Sequence, residues 1–315
     1  MLDWTDRHCR YFLRLISQHS VLYSEMITTG AILYGDTERH LAMSAQEQPV
    51  ALQLGGSDPK DLAAACKIAD NYAYSEINLN CGCPSDRVQN GMFGAVMMKN
   101  AKITADCVAA MIDATTLPVT VKHRIGVDDF DSYDFLCQFV GTVAASGCST
   151  FLVHARKAWL QGLSPKQNRE VPELNYDRVY QLKKDFPDLE FIINGGISTL
   201  DESVTHLNNI DGVMLGREAY TNPYILSQVD RIIYGDEKPI KTREKIAEEF
   251  VEYVDNEMAK GVKLNAMTRH ILGLYHGMPG ARQFRRHISE NAYKSTATID
   301  VLINALKFTS GASTR

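Results

Sequence analysis

Glu76-Ile-Asn-Leu-Asn-Cys-Gly-Cys-Pro-Ser85 begins as a strand and ends in a sharp turn that carries two thiols. Ile77 and Leu79 alternate with Asn78 and Asn80, so one face of the strand is apolar and the other is amide. Gly82 and Pro84 break the strand and leave Cys83 at its exposed carboxyl end. A buried thiol beside a turn is the commoner outcome for such a stretch. A strand end bearing Asn80 and Cys83 also presents a proton donor to a flat polar ligand, and the flanking sequence favours that second reading.

Outward from this stretch, strands and helices alternate. Strand patterns lie at Val21–Met26, Val50–Gly55, Ile77–Asn80, Val119–His123, Phe151–Ala155, Phe191–Asn194 and Val213–Gly216. Segments of helical period separate them, at Lys60–Asn71, Ala105–Ala114, Tyr133–Ala145, Tyr176–Lys184 and Leu200–Leu207. The alternation predicts βαβ units and a parallel sheet. Seven such strands fit an α/β fold of the TIM (β/α)8 barrel type better than an open sheet. The eighth belongs before the amphipathic helix predicted over Arg7–His19, so the first strand reads as absent or truncated. Beyond Tyr234–Pro239 the strand signal stops. Thr242–Lys260, Asn265–Tyr275, Ala281–Tyr293 and Ile299–Phe308 predict an appended all-helical domain. The expected division is residues 1–235 for the barrel and 240–315 for the helices.

The strand faces opposite the apolar ones place Gln53, Asn80, Lys122, His154 and Asn194 at carboxyl ends. Five polar residues in phase with the pleat converge where barrels of this kind hold their active sites. Lys122 or His154 taken alone reads equally well as a satisfied structural group. Asn194-Gly-Gly196 and Gly216-Arg217 close the last two strands. The loops after those strands are the usual phosphate site of the fold, where glycine lets backbone amides approach and an arginine adds a charge-assisted contact. Ordinary strand–helix turns also use glycine, but the coincidence with the last two strands favours phosphate.

A chain of 315 residues, 45% hydrophobic, can bury one large core and a smaller one. No apolar run approaches eighteen residues, and Met1–Arg7 lacks the apolar segment of a signal peptide, so a cytoplasmic location and no membrane contact are expected. Seven cysteines without framework spacing suit a reducing compartment. No second Cys/His pair accompanies Cys81 and Cys83 at zinc-site spacing, so no metal is expected. The net charge of −5 is uneven: residues 263–315 hold eight basic and two acidic side chains, a net of +6, against −11 for the rest. A basic tail region on an acidic body points to a polyanionic partner. Within it, Gly277-Met-Pro-Gly280 precedes a helix with Arg282, Arg285 and Arg286 on one face, fit for a phosphate backbone or for solvent alone. The stretch Arg156–Arg169 is likewise basic, with Trp159 expected at the surface, and suits the clamping of a flipped-out nucleotide.

Asn78-Leu-Asn-Cys-Gly-Cys-Pro-Ser85 runs on into Asp86-Arg-Val-Gln-Asn-Gly-Met-Phe-Gly94, with His154-Ala-Arg-Lys-Ala158, Asn194-Gly-Gly196 and Gly216-Arg217 in matching places. Together they resemble the tRNA-dihydrouridine synthases over nearly the whole chain. Met1–Arg10 and Pro279–Arg285 resemble subfamily A in particular. The resemblance implies an FMN-dependent enzyme that reduces uridine to dihydrouridine at positions 20 and 20a of the tRNA D-loop, with NADPH (or NADH) as reductant. It implies Cys83 as the proton donor. Met1, Leu2, Gln53, Lys122, His154, Asn194, Gly195, Gly196, Gly216 and Arg217 become FMN contacts. Asn80, Lys166, Arg169, Arg282 and Arg285 become tRNA contacts. The sequence departs from the family in two places: a strand and an Ala-Pro are expected before Met1-Leu2, and Cys81 stands where an aliphatic residue is usual. A monomer is expected.

The chemistry agrees. Reducing the C5–C6 double bond of uracil needs a hydride at C6 and a proton at C5; reduced flavin supplies the first and a protonated thiol on the opposite face of the base the second. Lys122 and Arg217 would offset the flavin's negative charge. With no G-x-G-x-x-G fingerprint, NADPH is expected to share the tRNA cavity and react in turn. Three rivals stand beside this reading. An FMN barrel dehydrogenase acting on a free pyrimidine would need neither the arginine helix nor the basic loop. A lyase or aldolase would use Lys122 as a Schiff base. A non-catalytic RNA-binding module would keep only the basic surfaces.

Overall fold

The computed structural model describes residues 1–309; residues 310–315, the end of the expected helical domain, lie outside the described residues. Two compact units make it up: Met1–Leu2 with Val21–Gly216, and Asp3–Ser20 with the chain from Arg217 onward.

In the first unit the strands are β1 Leu22–Thr28, β2 Val50–Gly55, β3 Glu76–Cys81, β4 Val119–Arg124, β5 Thr150–His154, β6 Glu190–Asn194 and β7 Gly212–Met214. They form one parallel sheet in the order β1-β2-β3-β4-β5-β6-β7. Helices Pro59–Ala69, Ala101–Ile112, Tyr133–Ala144, Tyr176–Asp185 and Leu200–Leu207 alternate with them, the successive βα order of a TIM barrel. The sheet is one strand short of eight: among the described residues no strand precedes the helix Arg7–Ile16. Leu52, Leu54, Ile77, Leu79, Val121, Val153 and Ile193 are wholly buried, the set that alternates with the polar one along each strand. Helix starts follow their caps. Asp58 accepts from Lys60 and Asp61 N–H ahead of Pro59, and Thr199 with Glu202 forms a reciprocal capping box.

The second unit is helical. Asp6 caps Arg7–Ile16, and that helix lays Phe12 edge-on to Phe250 (centroids 5.0 Å apart) and Tyr11 flat on Tyr253 (3.8 Å) of the helix Arg243–Ala259. Full burial of Phe12 and Phe250 is worth about 1.5–3 kcal/mol each. Arg7 pairs with Glu257 at 2.7 Å. The third and fourth predicted helices of this unit form over Ala281–Asn291 and Asp300–Leu306, each ending two residues sooner than expected. The second is shorter than expected, Leu264–Thr268. Beyond it Arg269 and His270 both turn to Asp6, and Gly273 passes so close to Thr221 that a Cβ would stand 2.6 Å from its carbonyl oxygen.

Candidate active site

Register sets the site. Gln53 lies opposite Asn78 across β2–β3, and Asn80 opposite Lys122 across β3–β4. Side chains of one pleat phase therefore meet. Asn80 Nδ2 donates to Gln53 Oε1 (2.8 Å), Gln53 Nε2 to Asn78 Oδ1 (2.9 Å), and Asn78 Nδ2 to Thr120 Oγ1 (2.8 Å). On the same phase, Lys122 Nζ donates to Asn194 Oδ1 (3.2 Å), whose Nδ2 reaches the Met214 carbonyl (2.7 Å). Gln53, Asn78, Asn80 and Thr120 are thus joined in one set, and Lys122, Asn194 and the end of β7 in a second.

The Cys83 loop grows from this ladder. Asn80 Oδ1 accepts the N–H groups of Gly82 and Cys83, both at 3.0 Å, and the Cys83 carbonyl accepts from Ala95 N–H at 2.9 Å. The backbone is thereby fixed on both sides of a half-buried thiol, whose Sγ lies 3.5 Å from Ser85 Oγ. Gly94 makes the closure possible: its φ is +75°, and a Cβ there would sit 2.5 Å from the Cys83 carbonyl oxygen. Cys81, one step out of phase, is wholly buried, and burial raises its thiol well above the usual range. It is a core residue.

His154 is buried at the end of β5 against Gly195, where a Cβ would come within 2.6 Å of the imidazole Cδ2. Gly195 and Gly196 have φ of +118° and +74°, so the turn after β6 needs glycine on conformation and on space. Burial, then Arg124, Lys122, Arg156 and Arg169, hold His154 well below the usual imidazole range, so the ring is neutral at pH 7. Burial also pulls Lys122 down to about 8, which leaves it charged at pH 7. The cluster of cations makes this strand end a place for an anion.

Two residues outside the sequence-based set organise the mouth. Arg124, 3% exposed, donates to the carbonyls of Gly82 (3.1 Å), Lys157 (3.2 Å) and Asn168 (2.9 Å), tying the Cys83 loop to the basic loop. Asn168, wholly buried, holds that loop from inside through Trp159 N–H and the Trp159 and Leu163 carbonyls. Gln89 adds a second tie, donating to Pro84 and Leu160 carbonyls at 2.8 and 2.6 Å. Trp159 is half-buried instead of exposed, because Lys157 Nζ lies over its ring at 4.1 Å. Lys166 and Arg169 project from the loop into solvent.

The family model for dihydrouridine synthases, "Dihydrouridine synthase (Dus)", matches residues 1–310. The chain belongs to the dihydrouridine synthase family. Relatives named tRNA-dihydrouridine(20/20a) synthase agree with this. The Escherichia coli (strain K12) protein is 59% identical over 98% of this chain and 89% of its own length. That of Yersinia pestis is 58% identical over 98% and 90%, and that of Vibrio cholerae 58% over 97% and 94%.

In this family member the remaining predicted residues stand as follows. Met1 and Leu2 are exposed and take no part in the contacts above. A Cβ at Gly216 would meet nothing nearer than Asn194 Nδ2 at 3.9 Å, so that glycine leaves space. Arg217, half-buried, opens the second unit at the start of the helix Arg217–Thr221. In that unit Arg282 and Arg285 are exposed and unpaired among the described residues, whereas Arg286 is taken by Glu290 at 2.7 Å. Among the described residues no three His, Cys, Asp or Glu side chains cluster to hold a metal, and no helix is long and apolar enough to cross a membrane.

Proposed function

We propose that this chain reduces uridine to 5,6-dihydrouridine in the D-loop of tRNA, at positions 20 and 20a, with Cys83 as the proton donor. The observation that carries the reading is the half-buried Cys83 thiol, fixed by Asn80 and Ala95 at the carboxyl end of β3 beside a cation-rich set of strand ends. The name shared by relatives 58–59% identical over almost the whole chain supports the substrate.

The residues present fit FMN. Gln53 has spent one amide hydrogen and one lone pair on its neighbours, which leaves one donor and one acceptor for a flat polar ring. Lys122 supplies a positive charge for an electron-rich ring. The Gly195-Gly196 turn offers backbone and Gly216 leaves space for a phosphate, with Arg217 as its charged partner. His154, held neutral, gives a hydrogen bond without adding charge. Met1 and Leu2 would add apolar contact. Bound FMN, re-reduced by NADPH or NADH, supplies the hydride to C6 of the uracil.

The chain's own work is to orient the base and move one proton. Asn80 has both lone pairs of its oxygen engaged by the loop and keeps one N–H for the base. Cys83 Sγ–H gives its proton to C5 from the face opposite the hydride. Lys166 and Arg169 on the mouth loop, and Arg282 and Arg285 on the helical unit, meet the tRNA backbone. The barrel unit, Met1–Leu2 with Val21–Gly216, is the catalytic domain of a cytoplasmic monomer, and the helical unit is its tRNA-binding domain.

The experiment is a flavin absorbance spectrum of the purified protein, followed by dihydrouridine formation in a tRNA transcript scored by mass. Cys83→Ala should keep its flavin and the flavin's reduction by NADPH, while product formation falls about 100- to 10,000-fold. Full product formation by that variant removes Cys83 from its role. Activity on a free pyrimidine but not on tRNA makes the small-molecule dehydrogenase the better reading.

A further inference from the structure

A hydrogen-bond chain runs along the sheet from the amino end of β3 to the Cys83 loop, and nothing in the proposed reaction calls for its far end. Gly82 and Cys83 N–H donate to Asn80 Oδ1 (3.0 Å each), Asn80 Nδ2 to Gln53 Oε1 (2.8 Å), and Gln53 Nε2 to Asn78 Oδ1 (2.9 Å). Asn78 Nδ2 donates to Thr120 Oγ1 (2.8 Å), and Thr120 Oγ1 donates to Glu76 Oε1 (2.5 Å), which also accepts from Tyr23 OH at 2.8 Å. Every link donates in the same direction.

The two ends enforce that direction. A backbone N–H can only donate, so Asn80 must turn its oxygen toward the loop. Glu76 Oε1 accepts from both Thr120 and Tyr23, so Thr120 gives its proton to Glu76 and takes one from Asn78. An amide turned by 180° would set donor against donor at one side and acceptor against acceptor at the other. In a chain whose dipoles all align, each bond also polarises the next. The loop end alone fixes Asn80; only the Glu76 end fixes Asn78 and Gln53 from the other side.

We propose that Glu76 is a positioning residue for the reaction. Its carboxylate lies four strand residues, about 13 Å, from Asn80. From there it fixes the orientation of the Asn78 and Gln53 amides, and through the bond between Gln53 and Asn80 the pose of the Cys83 loop and the face that Gln53 presents to its ligand. The proposal rests on Cys83 as the proton donor, so Cys83→Ala is measured alongside.

Three variants test it. Glu76→Leu removes the acceptor, Glu76→Gln keeps one carbonyl oxygen for Thr120 and Tyr23, and Thr120→Val cuts the chain without touching the carboxylate. The readouts are the single-turnover rate on a tRNA transcript by pre-reduced holoenzyme, tRNA affinity by filter binding, and the side-chain NH2 signals of Asn78, Gln53 and Asn80 by NMR. Glu76→Leu and Thr120→Val should slow the single turnover about 10- to 100-fold, the scale of one lost hydrogen bond to a charged group. Their tRNA affinity should be unchanged and the three NH2 signals displaced, while Glu76→Gln recovers most of the rate. Should Glu76→Leu fail to fold, Thr120→Val carries the test alone. A folded Thr120→Val with wild-type rate and unmoved NH2 signals overturns the proposal, as does a Glu76→Gln variant as slow as a folded Glu76→Leu. If Cys83→Ala is slow while Thr120→Val is normal, only the role of Glu76 falls; if Cys83→Ala is normal, the donor assignment falls first.

Discussion

Replacing Arg124 with Met removes three charge-assisted hydrogen bonds and keeps most of the buried volume. The bonds, at 2.9, 3.1 and 3.2 Å, run to carbonyls of two loops, and the guanidinium is 3% exposed. At about 1.5–3 kcal/mol for each hydrogen bond to a charged group, the three are worth about 4.5–9 kcal/mol. Against them stands the cost of burying the charge, which pulls Arg124 down to about 10 and corresponds to about 3 kcal/mol. Met carries no such cost, so the net loss is about 1.5–6 kcal/mol, centred near 3. For a domain of this size that is a fall in Tm of about 6–12 °C. Its distribution is more telling than its size. Backbone amides around residues 82–95 and 156–169 should exchange faster, while those of β2 to β5 keep their protection and turnover falls with the loosened Cys83 loop. Hydrogen exchange by mass spectrometry beside a turnover assay reads both effects. Wild-type protection in the two loops together with wild-type turnover would refute the coupling drawn from these three bonds.

Lys122 gives a pH test. Burial sets it at about 8 instead of 10.5, so the folded state disfavours its charged form. That penalty on folding applies fully below about 8 and relaxes as pH rises toward 10.5. The positive charge proposed for FMN is lost as pH passes the folded-state value of about 8, so flavin retention on gel filtration should fall between pH 7 and 9, and Lys122→Met should retain poorly at every pH. A flat profile in the wild type contradicts it. Cys81→Val swaps one small buried side chain for another and should leave turnover near wild type; a loss equal to that of Cys83→Ala would show that the wrong thiol was chosen. Replacing Arg282 and Arg285 together with Ala should weaken tRNA binding and reduce its salt slope by about one to two units, with NADPH oxidation in the absence of tRNA normal. An unchanged slope removes the helical unit from the RNA surface.

The strands were legible because the sheet is written in alternation: Leu52 with Leu54, Ile77 with Leu79, Val119 with Val121. The same alternation placed Gln53, Asn80, Lys122, His154 and Asn194 on the polar phase. Arg124 was not legible as a site residue. It ends β4 one position past the predicted strand, and its role depends on carbonyls at 82, 157 and 168 that only the fold assembles. Asn168 looked like one polar residue among many in a basic loop, yet it is wholly buried and the loop is built around it. The sequence grouped Arg286 with Arg282 and Arg285, but the Glu290 four residues on was enough to foresee its pairing. The helix Arg7–Ile16 was predicted, but its membership of the helical unit was not, since no local pattern reports a partner at the other end of the chain.

That membership has a consequence for synthesis. Arg7 and Glu257, which pair across this unit, are 250 residues apart in sequence. At about 5–20 residues per second on the ribosome, the helix Arg7–Ile16 emerges some 12–50 s before its partner exists. Throughout that interval the sheet can form in order, β1 onward, while Phe12 lacks the Phe250 ring that covers it. A helix made early is covered late, and a chain cut short before the helix Arg243–Ala259 carries a nearly complete sheet together with an apolar helix face that has lost its partner.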